Sequence, residues 1–255
     1  MAIIALRAWY LEQYEPIREI IKRPHDLRLS RNSLLKSGLR ADFLDDLRMV
    51  ENSDWFGRYL EGETVEFYIE GSGGYAISNI DLISQEIYFT KRETTAFIEP
   101  QIFFSYQQEY PTSSEIIGDA LETAIATLNP RSRLPLRLEK AARPQDTPLR
   151  LTSGQFRQIR RSLLVIADGT AIAQTPGEAT PHLLLSPHVC LELGYALNNK
   201  RPGEILLLQM DHFHKGQLPF DLSSQQKLAF STPQDLQKTL PPLLETLLQR
   251  FNLFN

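Results

Sequence analysis

From about residue 99 onward, short apolar segments alternate with amphipathic ones, and this alternation limits the possible folds most strongly. The segments typical of buried strands are "QIFFSY", "PLRLE", "LLVIAD", "EILLLQM" and "KLAFS", and helical patterns separate most of them. Repeated strand–helix–strand units imply a parallel sheet with helices on both faces. The sequence therefore predicts an α/β domain over residues 99–255, with about five strands in the flavodoxin-like order 2-1-3-4-5.

The first 98 residues follow a different pattern, which predicts a smaller α+β domain. In "SLLKSGLRADFLDDLRMV", roughly helical spacing joins Leu39, Phe43, Leu47 and Val50. In "ETVEFYIE", apolar and polar residues alternate as in a half-buried strand, and "YAISNIDLIS" and "QEIYFT" supply two further extended segments. We expect helices followed by an antiparallel meander. The Gly-rich stretch 71–74 could be a phosphate loop, but no helical pattern follows it, which favours a hairpin turn.

Composition narrows the class of protein. The net charge is −4 over 255 residues, whereas a nucleic-acid-binding domain is usually basic. No apolar run approaches the roughly 20 residues that span a bilayer, and the N-terminus lacks the pattern of a secretory signal. The lone cysteine, Cys190, fits a reducing compartment. We therefore expect a cytoplasmic protein without nucleic-acid or membrane partners, and Cys190 to be a packed, inert thiol.

Ligands of an open parallel sheet bind beyond the carboxyl ends of its strands. That rule selects "SYQQEYP", "DGT" and the start of the helix in "SPHVCLELGYALNNKRP". Ser186 is a good N-cap residue and Pro187 suits the first helical position. An apolar face of this helix is predicted at Val189, Leu193, Ala196 and Leu197. Glu192 falls at the margin of that face, with His188 one turn before it.

These residues resemble a known family. The strand "FFSY" and the helix start "SPHVCLE" are similar to the TIR domain, whose enzymatic members cleave NAD between nicotinamide and ribose. In those members a strand commonly ends in Ser-Tyr, as at Ser105 and Tyr106, and the catalytic glutamate follows a serine by six residues, as Glu192 follows Ser186. The resemblance covers residues 99–255. Many TIR enzymes have an aromatic residue four positions before the glutamate, where this chain has His188.

The longer string "SPHVCLELGYALNNKRP" also resembles the TIR-related nucleoside 2-deoxyribosyltransferases, in which N-P-N-V-x-x-E-L-G-x-A precedes Lys-Pro and an apolar strand. The loop "ADGTA", which contains Asp168 and Gly169, is similar to the aspartate-bearing loop of that group. Both relatives break an N-glycosidic bond at ribose, where a carboxylate can stabilise or trap the positive charge that develops at the anomeric carbon.

The resemblance implies Glu192 as the catalytic carboxylate of an NAD-cleaving enzyme in signalling or defence. It implies substrate contacts from Ser105, Tyr106, Asp168, Gly169, Ser186 and His188. NAD is then a substrate rather than a cofactor, no metal is required, and activity is expected to depend on self-association.

Other interpretations stay open. The chain could be a nucleoside or nucleotide ribosyl hydrolase or transferase, or a non-catalytic module that binds a nucleotide or a protein, since fold alone does not imply activity. Glu192 could instead pair with a Lys or Arg, and Asp168 could simply end a strand with an Asp-Gly turn. Histidines of "DHFH" (211–214) suggest a metal site, but loop histidines without a converging ligand set are the better interpretation.

The predicted strand order makes a spatial prediction. Ser105, Tyr106 and Asp168 follow neighbouring strands, so they should line one cavity, with the carboxylate of Glu192 pointing into it within roughly 10 Å. The insert "AIAQTPGEATPHLLL" is long for a connection in a compact fold, and such loops are often lids or disordered segments; we expect it to border this cavity and to be more mobile than the sheet. Arg143, Arg150 and Arg160 near the polar loop could meet a pyrophosphate, although no one of them stands out.

Overall fold

The chain forms two compact units, Met1–Phe97 and Ile98–Asn255. The computed structural model describes residues 5–30, 33–35, 38–92, 97–143, 153–175, 181–211 and 214–254. The sequence places the boundary after residue 98, one residue from the observed division. In the described part of the chain, no helix has the length and apolar character needed to cross a bilayer.

The first unit is built on an antiparallel sheet of seven strands in the order β2-β1-β5-β6-β7-β4-β3. Its strands are β1 (Ala5–Tyr10), β2 (Leu27–Ser30), β3 (Ser33–Leu35), β4 (Gly38–Asp42), β5 (Glu66–Ile69), β6 (Gly73–Asp81) and β7 (Glu86–Arg92). Its helices are α1 (Ile17–Ile20), α2 (Leu47–Glu51) and α3 (Asp54–Leu60). The predicted α+β composition is thus present, with more strands than the sequence suggested.

The predicted meander is confirmed in strands β5 to β7. Phe67 and Ile69 are fully buried and Val65 nearly so, as the alternation requires. The Gly-rich stretch is the hairpin turn between β5 and β6, where Gly71 and Gly73 adopt positive φ angles of 69° and 115°. Glycine reaches this backbone region without the steric cost that a side chain would add, so the turn explains both residues.

The helix predicted from the spacing of Leu39, Phe43, Leu47 and Val50 is wrong before Leu47. Strands β3 and β4 pair with each other there, and helix α2 starts at Leu47. Strand β4 pairs with β7 so closely that a Cβ on Gly38 would lie 2.7 Å from the carbonyl oxygen of Phe89. This ladder with a distant strand outweighs the local helical spacing, since tertiary pairing overrides weak local propensity.

The second unit contains the predicted α/β sheet of five parallel strands. They are β8 (Glu99–Ser105), β9 (Arg137–Lys140), β10 (Ser162–Asp168), β13 (Ile205–Met210) and β14 (Lys227–Phe230). Its helices are α4 (Pro111–Leu128), α5 (Ser153–Arg161), α6 (Pro187–Asn199) and α7 (Pro233–Leu248). A hairpin of β11 (Ala173–Thr175) and β12 (His182–Leu184) lies between β10 and α6.

The spatial order of this sheet is β14-β13-β10-β8-β9, with every pairing parallel. If the five strands are numbered 1 to 5 along the chain and read from the β9 edge, their spatial order is 2-1-3-4-5, as predicted. Helices α5 and α6 pack against the face that carries Phe103 and Val165. Helix α4 packs with α7 and faces the side chain of Phe104. The loops after β8 and β10 therefore diverge to opposite faces, which creates a crevice between them.

Two expectations for α6 are corrected. Val189, Leu193 and Ala196 are buried as predicted, but Leu197 is 43% exposed and lies outside the packed face. Cys190 is also exposed, although burial of its neighbourhood raises the pKa of the thiol. The buried apolar face of α6 is therefore narrower than the sequence suggested. The mobility prediction concerns the insert 171–185, of which residues 176–180 lie outside the described residues.

Candidate active site

Glu192 occupies the centre of the candidate site and has no exposed surface. It lies in the second turn of α6, where its carboxylate reaches the carboxyl end of β8. The hydroxyl of Ser105, the last residue of β8, donates a hydrogen bond to Glu192 Oε2 over 2.5 Å. This contact confirms that the "FFSY" strand and the Ser186 helix come together, as the fold prediction required.

The main partner of Glu192 is Arg143, which follows strand β9. Its Nη1 donates to Glu192 Oε1 over 2.7 Å and its Nη2 donates to Oε2 over 2.8 Å. The arginine side chain is only 1% exposed, so both charges of this bidentate pair are removed from water. Such a pair compensates the buried negative charge, because each partner satisfies the other with charge-assisted hydrogen bonds.

Tyr106 holds Arg143 in place through its backbone and its ring. The carbonyl oxygen of Tyr106 accepts hydrogen bonds from Arg143 Nε and Nη2, over 3.2 and 2.7 Å. The guanidinium carbon lies 5.0 Å from the centre of the Tyr106 ring, in a cation–π arrangement. The strand pairing explains this proximity, since Ala141 N donates to Phe104 O and carries the chain alongside the end of β8.

A fourth donor to Glu192 comes from helix α5. Gln155 Nε2 donates to Glu192 Oε1, and the glutamine is itself buried. Helices α5 and α6 are held in register by the stacked rings of Phe156 and Tyr195, whose centroids are 4.2 Å apart. Oε1 therefore accepts from Arg143 and Gln155, and Oε2 accepts from Arg143 and Ser105. Together these bonds fill the roughly four acceptor positions of a carboxylate.

Asp168 is a second buried carboxylate, at the end of β10, and it has a different set of partners. Its Oδ2 accepts hydrogen bonds from the hydroxyls of Ser113 and Ser114, over 2.6 and 2.7 Å. Its Oδ1 accepts from the backbone N–H of Thr170 over 3.0 Å. These contacts fasten the first turn of α4 to the end of β10. With no exposed surface, Asp168 cannot contact a substrate in the described state.

Gly169 is explained by packing. A Cβ at this position would lie 2.5 Å from Cγ of Leu207, and the N–H of Gly169 donates to the carbonyl of Leu208 over 2.7 Å. The residue is buried, so the described state gives it no surface for the predicted substrate contact. The Asp-Gly pair therefore ends the strand and fits it against β13, which is the structural alternative that the sequence left open.

Ser186 precedes α6 as predicted, but its hydroxyl does not cap the helix. It donates instead to Glu109 Oε1, over 3.1 Å, which links the loop after β8 to the start of α6. Burial raises the pKa of the Glu109 carboxyl, but hydrogen bonds from the backbone and Ser186, with the charge of His188, outweigh it and the net pKa is lowered. His188 is half-buried beside this contact. The crevice between the diverging loops is thus bridged by a carboxylate of the chain itself.

A cavity of about 400 Å³ opens next to Tyr106, on the side of the sheet that faces α4. Neither Glu192 nor Asp168 lines it. The prediction of one open cavity shared by Ser105, Tyr106, Asp168 and Glu192 is therefore wrong for the described state. The physical reason is that three of these four side chains are fully buried and held by internal hydrogen bonds.

Among the described residues, no three His, Cys, Asp or Glu side chains are arranged to hold a metal ion. The predicted loop histidines are only partly within the structure, because residues 212 and 213 lie outside the described residues. Asp211 accepts a hydrogen bond from Ser231 Oγ over 2.6 Å.

The contribution of two residues was not recognised from the sequence. The sequence does not distinguish Arg143 from the other arginines near the polar loop, and it assigns no role to Gln155. Arg143 lies three residues beyond the end of β9, at the same sheet edge as Ser105 and Asp168, so the carboxyl-end rule could have selected it. Arg150 lies outside the described residues, and the backbone carbonyl of Arg160 accepts from Lys200 Nζ over 2.9 Å. Gln155 has no comparable signal, because its contact depends on how α5 packs.

Comparison of the chain with protein-family models and with curated proteins gives no match.

Proposed function

We propose that the second unit cleaves the N-glycosidic bond of NAD and releases nicotinamide, with Glu192 as the catalytic carboxylate. The observation that supports this most directly is the buried Glu192 carboxylate at the carboxyl end of β8, where it meets donors from three separate segments of the chain. Removing a charge from water is costly, and a buried ion pair is weak evidence for a stabilising role. Its position at the topological switch point, where ligands of such sheets bind, favours function instead.

The chemistry needs one carboxylate at the anomeric carbon. The bond from that carbon to the nicotinamide nitrogen breaks, and its electron pair leaves with the nitrogen, which becomes neutral. The positive charge that develops on the ribose is stabilised by the Glu192 carboxylate or trapped by it covalently. Water then adds to the anomeric carbon and loses a proton. The products are nicotinamide and ADP-ribose.

The described arrangement corresponds to a resting form of this site. Four hydrogen bonds occupy the Glu192 oxygens, so at least one donor has to leave before an oxygen can face a ribose. Ser105 belongs to a central strand and Gln155 to a helix, whereas Arg143 belongs to the loop after β9. We infer that Arg143 is the donor that moves. Its two bonds to the Tyr106 carbonyl are formed alongside the pair with Glu192, and they also have to weaken when Arg143 moves away.

The decisive experiment incubates the purified full chain with NAD at high protein concentration, because this class of enzyme is expected to act in assemblies. Free nicotinamide is measured by chromatography. We expect Glu192→Gln to lower the rate by about 100-fold or more. The matched control is Glu99→Gln, which removes another buried carboxylate that pairs with an arginine, Arg161. Glu99 lies at the opposite end of β8, so this control should retain activity. Full activity in Glu192→Gln would exclude the proposed role.

A second candidate function is a nucleotide-binding module without turnover, in which the Arg143–Glu192 pair is a permanent part of the fold. The complete occupation of the Glu192 oxygens favours this alternative. It predicts nucleotide binding, measured by thermal shift, without release of nicotinamide. A panel of nucleosides assayed for free base tests the ribosyl hydrolase or transferase alternative in the same preparation. Base release with NAD untouched would replace the NAD proposal.

The cellular setting is also part of the proposal. We propose a cytoplasmic protein in signalling or defence whose first unit senses a signal or drives self-association. An increase of specific activity with protein concentration, measured together with mass by light scattering, tests the dependence on assembly.

A further inference from the structure

Helix α4 presents a stripe of negative charge on the surface of the second unit. Its charged residues are Glu115, Asp119 and Glu122, all exposed, and the helix contains no Lys or Arg. Their spacing of four and three residues places the three carboxylates on one side of the helix. Glu122 is paired with Lys140 over 2.7 Å, whereas Glu115 and Asp119 form no ion pair in the described part of the chain. Two charges of this acidic stripe are therefore uncompensated.

Helix α5 has a stripe of the opposite charge. Its charged residues are Arg157, Arg160 and Arg161, and the helix contains no Asp or Glu. Arg161 is paired with Glu99 over 2.5 Å. Arg157 and Arg160 are exposed and form no ion pair with any described residue, and these two residues make up the basic stripe. They lie about one helical turn apart, as do the two uncompensated carboxylates of α4.

The two stripes lie on opposite faces of the parallel sheet, because α4 packs with α7 on one face and α5 packs with α6 on the other. They cannot meet within one second unit. A contact between the acidic stripe of one copy and the basic stripe of the next compensates both, whereas two copies joined through the same stripe would repel each other. Such a contact is heterologous, so each pair of copies leaves one stripe free at either end and further copies can add.

The cavity of about 400 Å³ beside the acidic stripe has a lining that suits a guanidinium group. Glu115 and Asp119 border it together with the aromatic residues Phe104 and Tyr106. Carboxylates accept the paired N–H donors of arginine, and an aromatic ring attracts a cation to its face. An arginine in a pocket is also a frequent source of binding free energy at an interface. The carbonyl of Tyr106 binds Arg143, so a contact in this cavity lies next to the proposed catalytic pair.

We propose that copies of this chain assemble head to tail through their second units, with the basic stripe of one copy seated on the acidic stripe of the next and one of its arginines in the cavity. The inference rests on the proposed function only for self-association, to which it assigns two surfaces, and it does not require cleavage of NAD. A polyanion would also suit the basic stripe, but it would leave the acidic stripe and its cavity unoccupied. A second copy occupies all three.

The first test measures the mass of the full wild-type chain by sedimentation velocity as its concentration is raised, in low and in high salt. We expect the mass to rise beyond that of a dimer in low salt and to fall in high salt, because salt screens the contact between exposed charges. A chain that remains monomeric in low salt would overturn the proposal. Binding of inorganic polyphosphate by that monomer would assign the basic stripe to anions instead.

The second test separates the two surfaces. Arg157→Gln/Arg160→Gln keeps only the acidic stripe, and Glu115→Gln/Asp119→Asn keeps only the basic stripe. Each double variant alone should associate about tenfold more weakly than the wild type or worse. In a one-to-one mixture each pair shares a single intact contact, so the mass should rise to that of a heterodimer and stop there. Wild-type association of either variant alone, or a mixture that stays monomeric, would contradict the head-to-tail contact.

The matched control removes two positive charges from another part of the second unit. Lys227 and Lys238 are exposed and lie outside both stripes. Lys227→Gln/Lys238→Gln changes the net charge as much as the arginine variant does, and it should assemble as the wild type. An equal loss of assembly in this control would show that net charge, rather than the basic stripe, decides association.

Gly118 tests the place of the arginine. A Cβ at this position would lie 3.7 Å from the Phe104 ring and 3.8 Å from Lys140 Nζ, and both residues line the cavity. Gly118→Met therefore extends a side chain into the cavity and should weaken assembly by about tenfold or more, whereas Gly118→Ala should leave it unchanged. Thermal denaturation checks that both variants are folded. Undiminished assembly of folded Gly118→Met would reject the cavity as the arginine site.

Failure of this proposal is distinguishable from failure of the catalytic proposal. If copies assemble through the two stripes but NAD is not cleaved, the interface stands and the role of Glu192 is rejected. If NAD is cleaved in a Glu192-dependent manner while both double variants assemble like the wild type, the catalytic proposal stands and the interface is rejected.

Discussion

The two units of the chain differ in what they bury. Among the described residues of the first unit, one polar side chain is buried, that of Ser30, and the core is aromatic and aliphatic. The described part of the second unit buries serines, glutamines and four carboxylates, at Glu99, Asp168, Glu192 and Glu204. An apolar core loses stability in proportion to the volume removed, whereas a buried charge depends on one or two specific partners. The stability of the first unit therefore depends mainly on apolar packing, whereas the second unit also depends on specific contacts between buried polar groups.

The largest expected effect separates these two kinds of core. Arg143→Met leaves the buried Glu192 without its charged partner, and we expect the second unit to lose about 3–5 kcal/mol of unfolding free energy. The double variant Arg143→Met/Glu192→Met removes both charges and should recover much of that loss. Chemical denaturation followed by circular dichroism measures all three chains. Additive losses in the double variant would show that the pair is not coupled.

A pH dependence specific to the second unit follows from Lys200. Burial lowers the pKa of Lys200 from 10.5 to about 8, although its ammonium donates to the carbonyls of Arg160 and Ser162. Between pH 8 and 10.5 the unfolded chain keeps this proton and the folded chain loses it, so unfolding free energy rises with pH. From pH 8 to 10.5, the unfolding free energy of the wild type should rise by up to roughly 3 kcal/mol relative to that of Lys200→Met. Below pH 8 the difference between the two chains should stay constant. The difference between their denaturation curves at each pH checks this, and a difference that is also constant across the higher window would contradict it.

Asp168 tests whether a buried carboxylate with neutral partners behaves like Glu192. In Asp168→Asn the amide keeps one acceptor for the Thr170 N–H, and the hydroxyls of Ser113 and Ser114 can rotate. We expect a loss of about 1–3 kcal/mol, smaller than for Arg143→Met. If Asp168 only fastens α4 to β10, NAD cleavage by the folded variant stays near the wild-type rate. A large drop in rate at unchanged melting temperature would restore its predicted contact with substrate.

The smallest effect is expected from trimming the apolar cores. Ile87→Val in the first unit and Ile166→Val in the second each remove one methylene from a fully buried side chain. Both should lose about 0.5–1.5 kcal/mol, because volume alone decides the cost. Equal losses in urea denaturation would show that the two units differ only in their polar interiors. A much larger loss at Ile166 would mean that strain from packing spreads to the neighbouring buried carboxylates.

The sequence predicted the second unit well because its signals are local. Each strand of the parallel sheet is a short apolar run, each helix has its own period, and the carboxyl-end rule located Ser105 and Glu192 at one edge. The hairpin of β3 and β4 was missed because the contact that decides it joins Gly38 to Phe89, far apart in the chain. The spacing of Leu39 and Phe43 is compatible with a helix, and it gives no indication that this segment pairs with strand β7.

The sequence was sufficient to select Glu192 for the candidate site, but it was not sufficient to predict which residues form hydrogen bonds with Glu192. The position of Glu192 follows from a motif within one helix. Its pairing with Arg143 spans 49 residues, and its contact with Ser105 spans 87. Arginine side chains are long enough to reach many partners, so their pairing depends on the folded geometry. The partners of Asp168 were unpredictable for the same reason, because the donors Ser113 and Ser114 belong to helix α4, more than 50 residues earlier in the chain.

The fully occupied carboxylate has a consequence for measured affinities. If substrate binds only the form in which Arg143 has released Glu192, the apparent dissociation constant equals the intrinsic one divided by the fraction of molecules in that form. An open population of about one in a hundred would weaken apparent binding about 100-fold without any change in the contacts themselves. Anything that stabilises the open form, such as a neighbouring copy of the chain, would then raise affinity and rate together. Sensitivity to assembly would be a property of this equilibrium and would require no new catalytic group.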